Sequence, residues 1–197
     1  MAVYPRTRII VYSVVALAAL AADLISKSVA FAKLGGVGQQ GPWLIDGWLK
    51  FKFHSNLNLG ALWGMGQGFA PGFAALSIAA VAGIIYWLFF RGAASSLWLT
   101  IALALVTGGA LGNCYDRLGL HGICFPDPDK VAMAVRDFLR FRFGTYEYPI
   151  FNIADSFLVA GAIMLMIQSL KSEPSSDAPA TVPSSKEDVV RSPYDVR

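Results

Sequence analysis

Charge is scarce in this chain. Asp, Glu, Lys and Arg make up 15% of its 197 residues, against 55% apolar, where soluble domains average about a quarter charged. Too little polar surface remains to coat a globule in water. Cysteine is scarce at two residues, which excludes a disulfide scaffold, and neither the cysteines nor His54 and His121 have zinc-type spacing. Cys114 reads as a buried small hydrophobe and Cys124 as a loop thiol. The 19 glycines follow no period, so collagen-like structure is out. A net charge of +3 is too small and too dispersed to suggest nucleic acid as a partner. What the chain does have is long hydrophobic runs and a mean hydropathy of +0.53. It reads as a polytopic membrane protein.

A bilayer core takes about 20 apolar residues per helix. Four windows qualify, at 9–32, 69–90, 96–115 and 150–170. Arg6, Arg8 and the small residues near Ala19 and Ala21 imitate a cleaved signal peptide. The run nevertheless continues past Asp23 and ends in no lipobox, so a retained helix is expected and the chain is not expected to be a lipoprotein itself. Arg6 and Arg8 beside the first span favour cytoplasmic termini. In the link 33–68, a turn-rich stretch from Gly35 to Pro42 precedes Trp48–His54, whose alternation predicts a strand in a small sheet on one membrane face. In the link 116–149, Val131, Val135, Phe138 and Leu139 recur at helical spacing, whereas Arg140–Phe143 alternates. Either form gives a basic, aromatic, amphipathic piece seated in the headgroups. Residues 172–197 are polar and aperiodic, and disorder is expected there. Residues 1–171 then form the membrane domain.

Ionisable groups inside lipid ask for a reason. Asp23 and Lys27, four apart, read as a structural pair with the lysine snorkelling to the headgroups. The glycines of Gly108-Gly109-Ala110-Leu111-Gly112 read as helix packing. Asn113, Asp116 and Arg117 follow, the last two adjacent, so each needs a partner on another element. Asn152 and Asp155 share a helix face. Helix capping is the plain explanation for Asp155, weakened because a fourth span starting at 150 places it well past the cap. No serine is placed for nucleophilic chemistry, since Ser26 and Lys27 are adjacent. Carboxylates remain. Two sharing a proton can activate water and protonate a carbonyl. Among Asp23, Asp116, Asp127, Asp129, Asp137 and Asp155, the residues favour Asp155 plus a partner from 116–149 and do not choose that partner.

Five motifs occur in order: Asp23-Leu24-Ile25-Ser26-Lys27; Asn58-Leu59-Gly60-Ala61-Leu62-Trp63-Gly64; Gly108 through Arg117; Asp137-Phe138; and Phe151-Asn152-Ile153-Ala154-Asp155-Ser156. Together, over about 9–170, they resemble the lipoprotein signal peptidase (signal peptidase II) family. The resemblance implies an all-α polytopic membrane protein of four transmembrane helices with a small extracytoplasmic β-cradle, an interfacial amphipathic segment and both termini in the cytoplasm of a bacterial cell. It implies an aspartyl endopeptidase of the inner membrane that needs no metal or other cofactor. Its substrate would be a diacylglyceryl-modified prolipoprotein, cut before the lipidated cysteine, and cyclic-peptide antibiotics would inhibit it. It assigns Asp137 and Asp155 as the catalytic pair. Asn58, Gly60, Asn113, Arg117, Asn152 and Ala154 would line the site, with Asp23, Lys27 and Asp116 as polar support. The chain departs from the family in a longer connection over 121–134, which brings in Asp127 and Asp129, and in Leu59 and Leu62, which replace smaller residues. From another class, a small transporter or channel subunit would use the same carboxylates as an ion path, spread across the membrane depth.

Overall fold

A computed structural model describes residues 6–60 and 66–171. Four helices have the length and apolar content to cross a membrane. They are α1 (Arg6–Leu34), α2 (Ala70–Ile85, prolonged by a π-helical turn over Tyr86–Phe90), α3 (Leu97–Arg117) and α4 (Ile153–Lys171). Their ends follow local chemistry. Pro71 sits in the first turn of α2, where its missing N–H costs nothing. Gly92 turns the chain at φ 78° after Arg91, and the Ser96 hydroxyl caps α3 by accepting from Leu99 N at 3.2 Å.

The start of α4 corrects the expectation for Asp155. Asp155 N donates to Asn152 Oδ1 and Asn152 N donates to Asp155 Oδ2, both at 3.1 Å. This is a reciprocal capping box, so the helix begins at Ile153 and Asp155 lies in its first turn. Capping and a place in the site are compatible, because the cap uses only one carboxylate oxygen.

The central helix is α3, packed against α1, α2 and α4. Side-chain volume is what the contacts minimise. A Cβ on Gly108 would lie 2.6 Å from Ala19 Cβ and 2.7 Å from the Ala16 carbonyl; on Gly109 it would lie 2.6 Å from the Ala154 carbonyl. In lipid, association rests on such close backbone packing rather than on apolar burial. Gly108→Ala must therefore push α1 from α3, and we expect it to lower stability by about 1–3 kcal/mol. Thermal unfolding in detergent measures this, and an unchanged midpoint would refute the packing role.

The two long links build one antiparallel sheet, in the order β1 (Ile45–Asp46), β2 (Leu49–Asn58), β3 (Val135–Phe143), β4 (Tyr146–Glu147). β2 pairs with β3 from Leu49↔Phe143 to Asn58↔Val135, with a register shift between Phe53 and Asn56. The helical spacing over 131–139 is thus not realised, and the alternation at 140–143 is. β2 offers β3 a full set of backbone partners that an isolated segment lacks, and such pairing overrides local pattern. The architecture is four helices plus a small antiparallel sheet. The sheet lies where α1 and α3 end and α2 and α4 begin. Residues 172–197 and the Ala61-Leu62-Trp63-Gly64 part of the second motif lie outside the described residues.

Candidate active site

β2 and β3 deliver two side chains toward the ends of α3 and α4. Asp137, on β3, is 2% exposed. Its Oδ1 accepts from Asn152 Nδ2 at 2.6 Å and its Oδ2 from Asn58 Nδ2 at 3.1 Å. The Asn58 side-chain oxygen in turn accepts from Gly60 N at 3.1 Å, closing the end of β2. Asp155 receives Asn113 Nδ2 on Oδ1 at 2.8 Å, besides Asn152 N on Oδ2. Asn152 Nδ2 also donates to Asn113 Oδ1 at 3.2 Å. Two amides therefore link the carboxyl groups in the order Asp137, Asn152, Asn113, Asp155.

Burial, and then the charge of Asp155, push the Asp137 carboxyl up to about 7 against the pull of Asn152 and Asn58. Among the described residues no cation lies within ion-pair distance of either carboxyl. Arg117, at the end of α3, lies within electrostatic reach of both, with its guanidinium 5.3 Å from the centre of the Phe73 ring. This arrangement can hold one proton between two acids near neutral pH.

Behind it lies a buried ionic layer. Lys27 Nζ meets Asp23 Oδ2 at 2.7 Å, Asp116 Oδ2 at 3.1 Å and Asn113 Oδ1 at 3.0 Å. Asp23 Oδ1 accepts from Ala154 N at 2.9 Å, and Asp116 Oδ2 accepts from Arg136 N at 2.9 Å. The backbone just before each site aspartate is thus held by a carboxylate, and Lys27 joins the two carboxylates. Lys27 does not snorkel, because it is fully buried: two acids and an amide inside the bundle outcompete the headgroups. Gly112 makes room for this layer, since a Cβ there would lie 2.3 Å from Asp23 Oδ2.

Asp116 and Arg117 do find partners on other elements. The partner of Asp116 besides Lys27 is Arg136, whose guanidinium binds it at 2.9 and 3.0 Å and reaches Ser28 Oγ at 3.2 Å. Sequence reasoning missed Arg136. The signal available was an arginine inside the apolar run Ala134–Leu139, next to an aspartate. Asp127 and Asp129 lie apart in the exposed link, where Asp127 Oδ1 caps Asp129 N at 2.9 Å. Among the described residues no group of three or more His, Cys, Asp or Glu side chains is placed to hold a metal ion.

Asp137 and Asp155 both line a cavity of about 830 Å³. Both α2 and α4 pack on α3 but scarcely on each other. The cavity runs between them, past Leu76 and Ala80 on one side and Val159 and Ile163 on the other. Fold and site define a multi-pass membrane protein with a two-carboxyl centre, Asp137 buried and Asp155 half-buried, beside an apolar cleft. Residues 15–171 match the family model described as signal peptidase (SPase) II, and the chain belongs to that family. It is 44% identical over 173 residues to the lipoprotein signal peptidase of Rhodopirellula baltica, covering 85% of this chain and 75% of that protein. It is 36% identical over 159 residues to that of Bacillus subtilis, covering 81% and 92%. A bacterial membrane enzyme solved by the in meso method at 2.3 Å superposes with a TM-score of 0.66 at 28% identity, over 81% of this chain and 87% of that one.

Proposed function

We propose that this protein is a membrane aspartyl endopeptidase that removes the signal peptide from diacylglyceryl-modified prolipoproteins, cutting before the lipidated cysteine. The observation that carries the reading is the pair Asp137 and Asp155 on one cavity, bridged by Asn152 and Asn113, with Asp137 titrating near neutrality. Water bound between the carboxyls gives a proton to Asp155 as it attacks the scissile carbonyl. Asp137 gives its proton to the carbonyl oxygen, and collapse of the tetrahedral intermediate returns a proton to the leaving amine. Each such transfer contributes about 10²–10⁴ in rate. Asn58, Asn113, Asn152 and Arg117 orient the carboxyls and the peptide, and Gly60 and Ala154 let its backbone approach.

The opening between α2 and α4 suits a substrate that arrives laterally with its acyl chains still in lipid, and family cyclic-peptide antibiotics would fill the same cleft. The termini face the cytoplasm and the sheet and site face the outer side of the inner membrane. An ion path is disfavoured because Asp23, Asp116, Asp137 and Asp155 gather at one end of the bundle and α2 carries no carboxylate.

Gel-shift cleavage of a lipidated prolipoprotein by the purified protein tests the reading. Activity should fall as pH rises through about 7, approaching tenfold per unit beyond it, because Asp137 loses the proton it must donate. No cleavage would refute the activity. Cleavage that stays flat from pH 6 to 9 would refute the role given to Asp137.

A further inference from the structure

β2 and β3 set four cations on one face of the sheet. Lys50 stands opposite Arg142, and Lys52 opposite Arg140; alternate strand residues share a face. Like charges directly opposed destabilise an antiparallel pair, and here two such pairs follow each other. The flanking strands supply two acids, Asp46 opposite Lys50 and Glu147 opposite Arg142. Asp46 pairs with Lys50, and Glu147 lies 3.2 Å from Arg140 and 3.6 Å from Arg142. Four cations against two carboxylates leave two positive charges over.

The Lys52–Arg140 row has no acid at its own register, and Glu147 reaches Arg140 from the Arg142 row. A neutral oxygen stands there instead, Gln40 Oε1, 2.5 Å from Lys52 Nζ and 3.2 Å from Arg140 Nη1. The Trp43 ring adds a π face, its centre 4.4 Å from Lys52 Nζ and 5.4 Å from Arg142 Cζ. Burial and the charge of Arg140 together press Lys52 toward its neutral form, and His54 is pressed the same way. An amide oxygen bridging two cations occupies the place an anionic oxygen would take. The end of this sheet exposes Trp48, in the turn before β2, at 75% and Tyr146, on β4, at 56%, with Trp48 set edge-on to Phe143. Such side chains favour the headgroup layer.

We propose that this face binds the phosphate of an anionic lipid headgroup from the bilayer that holds the helices, a phosphate oxygen replacing Gln40 Oε1 between Lys52 and Arg140. The inference stands apart from the peptidase reading, because it rests on the sheet alone. It also links lipid to the site, since β3 carries both Arg140 and Asp137.

The test reconstitutes the full chain in nanodiscs of phosphatidylcholine, with or without about a third phosphatidylglycerol, and follows amide hydrogen exchange over 49–54 and 139–143. Exchange should slow about tenfold in the anionic discs. The effect should vanish in about 1 M salt, where the Debye length is about 3 Å. The double variant Lys52→Gln/Arg140→Gln should lose the response. Gln40→Glu, which places a carboxylate between the cations, should slow exchange in phosphatidylcholine and abolish the response to phosphatidylglycerol, so the proposal stays testable if the double variant does not fold. Equal exchange in both lipids would overturn it. So would equal slowing by inorganic phosphate in phosphatidylcholine discs, or slowing by an acidic peptide but not by phosphatidylglycerol.

Discussion

Asp137→Asn is expected to lower cleavage of a diacylglyceryl-modified prolipoprotein by about 10³ or more, and Asp155→Asn to do the same. Asparagine keeps the shape of each side chain but can neither take a proton from water nor give one to the carbonyl oxygen. Asp129→Asn should cleave like the parent, because Asp129 lies in the exposed link and does not line the cavity. Gel-shift assays on the three variants decide it, and an active Asp137→Asn with an inactive Asp129→Asn would refute the role of Asp137 and move the acid from β3 into the link. Stability supplies an independent check. Asp137 binds its proton more tightly folded than unfolded, its folded value of about 7 lying above the ordinary 3.8. The folded state therefore loses stability as pH rises from about 4 to about 7. Asp137→Asn should lose that slope while keeping the fold, a result visible in unfolding midpoints taken at pH 5 and 8.

Lys27→Met should cost about 3–5 kcal/mol, the usual result of stripping one partner from a buried ion pair. Asp116 would keep Arg136, but Asp23 would be left a buried carboxylate with only Ala154 N. Asp23→Asn/Lys27→Met restores neutrality and should recover part of the loss, so a double-mutant cycle should give a coupling of about 1–3 kcal/mol. The site should suffer as well. Lys27 Nζ and Asn152 Nδ2 both donate to Asn113 Oδ1, which fixes the amide so that Nδ2 faces Asp155. With the ammonium gone that orientation is less defended, and turnover should fall more than substrate binding. Additive stability effects in the cycle would show that Lys27 and Asp23 do not act as a pair.

Parts of the site could be read residue by residue. Asp23 with Lys27, Asn113 with Asp116, and Asn152 with Asp155 each stood out because a polar group in an apolar run has to be compensated. Arg136 could not be placed, since its partner Asp116 lies 20 residues away across an irregular link. Nor could β3 be distinguished from a helix, because Val131, Val135 and Leu139 fit one period and Arg140–Phe143 the other. The strand that settles it, β2, precedes it by two membrane spans.

What the chain determined by itself is therefore its solvent and its inventory. Apolar run length sets four crossings, and scarcity of charge makes each intramembrane polar residue conspicuous; both are local properties of consecutive residues. Only the folded arrangement decided which carboxyls meet, which amides bridge them, and that Asp23 and Asp116 hold the backbone on either side of one lysine. Most of those contacts join residues 15 to 131 positions apart, and their geometry exists only once close packing at Gly108, Gly109 and Gly112 has brought α1, α3 and α4 together.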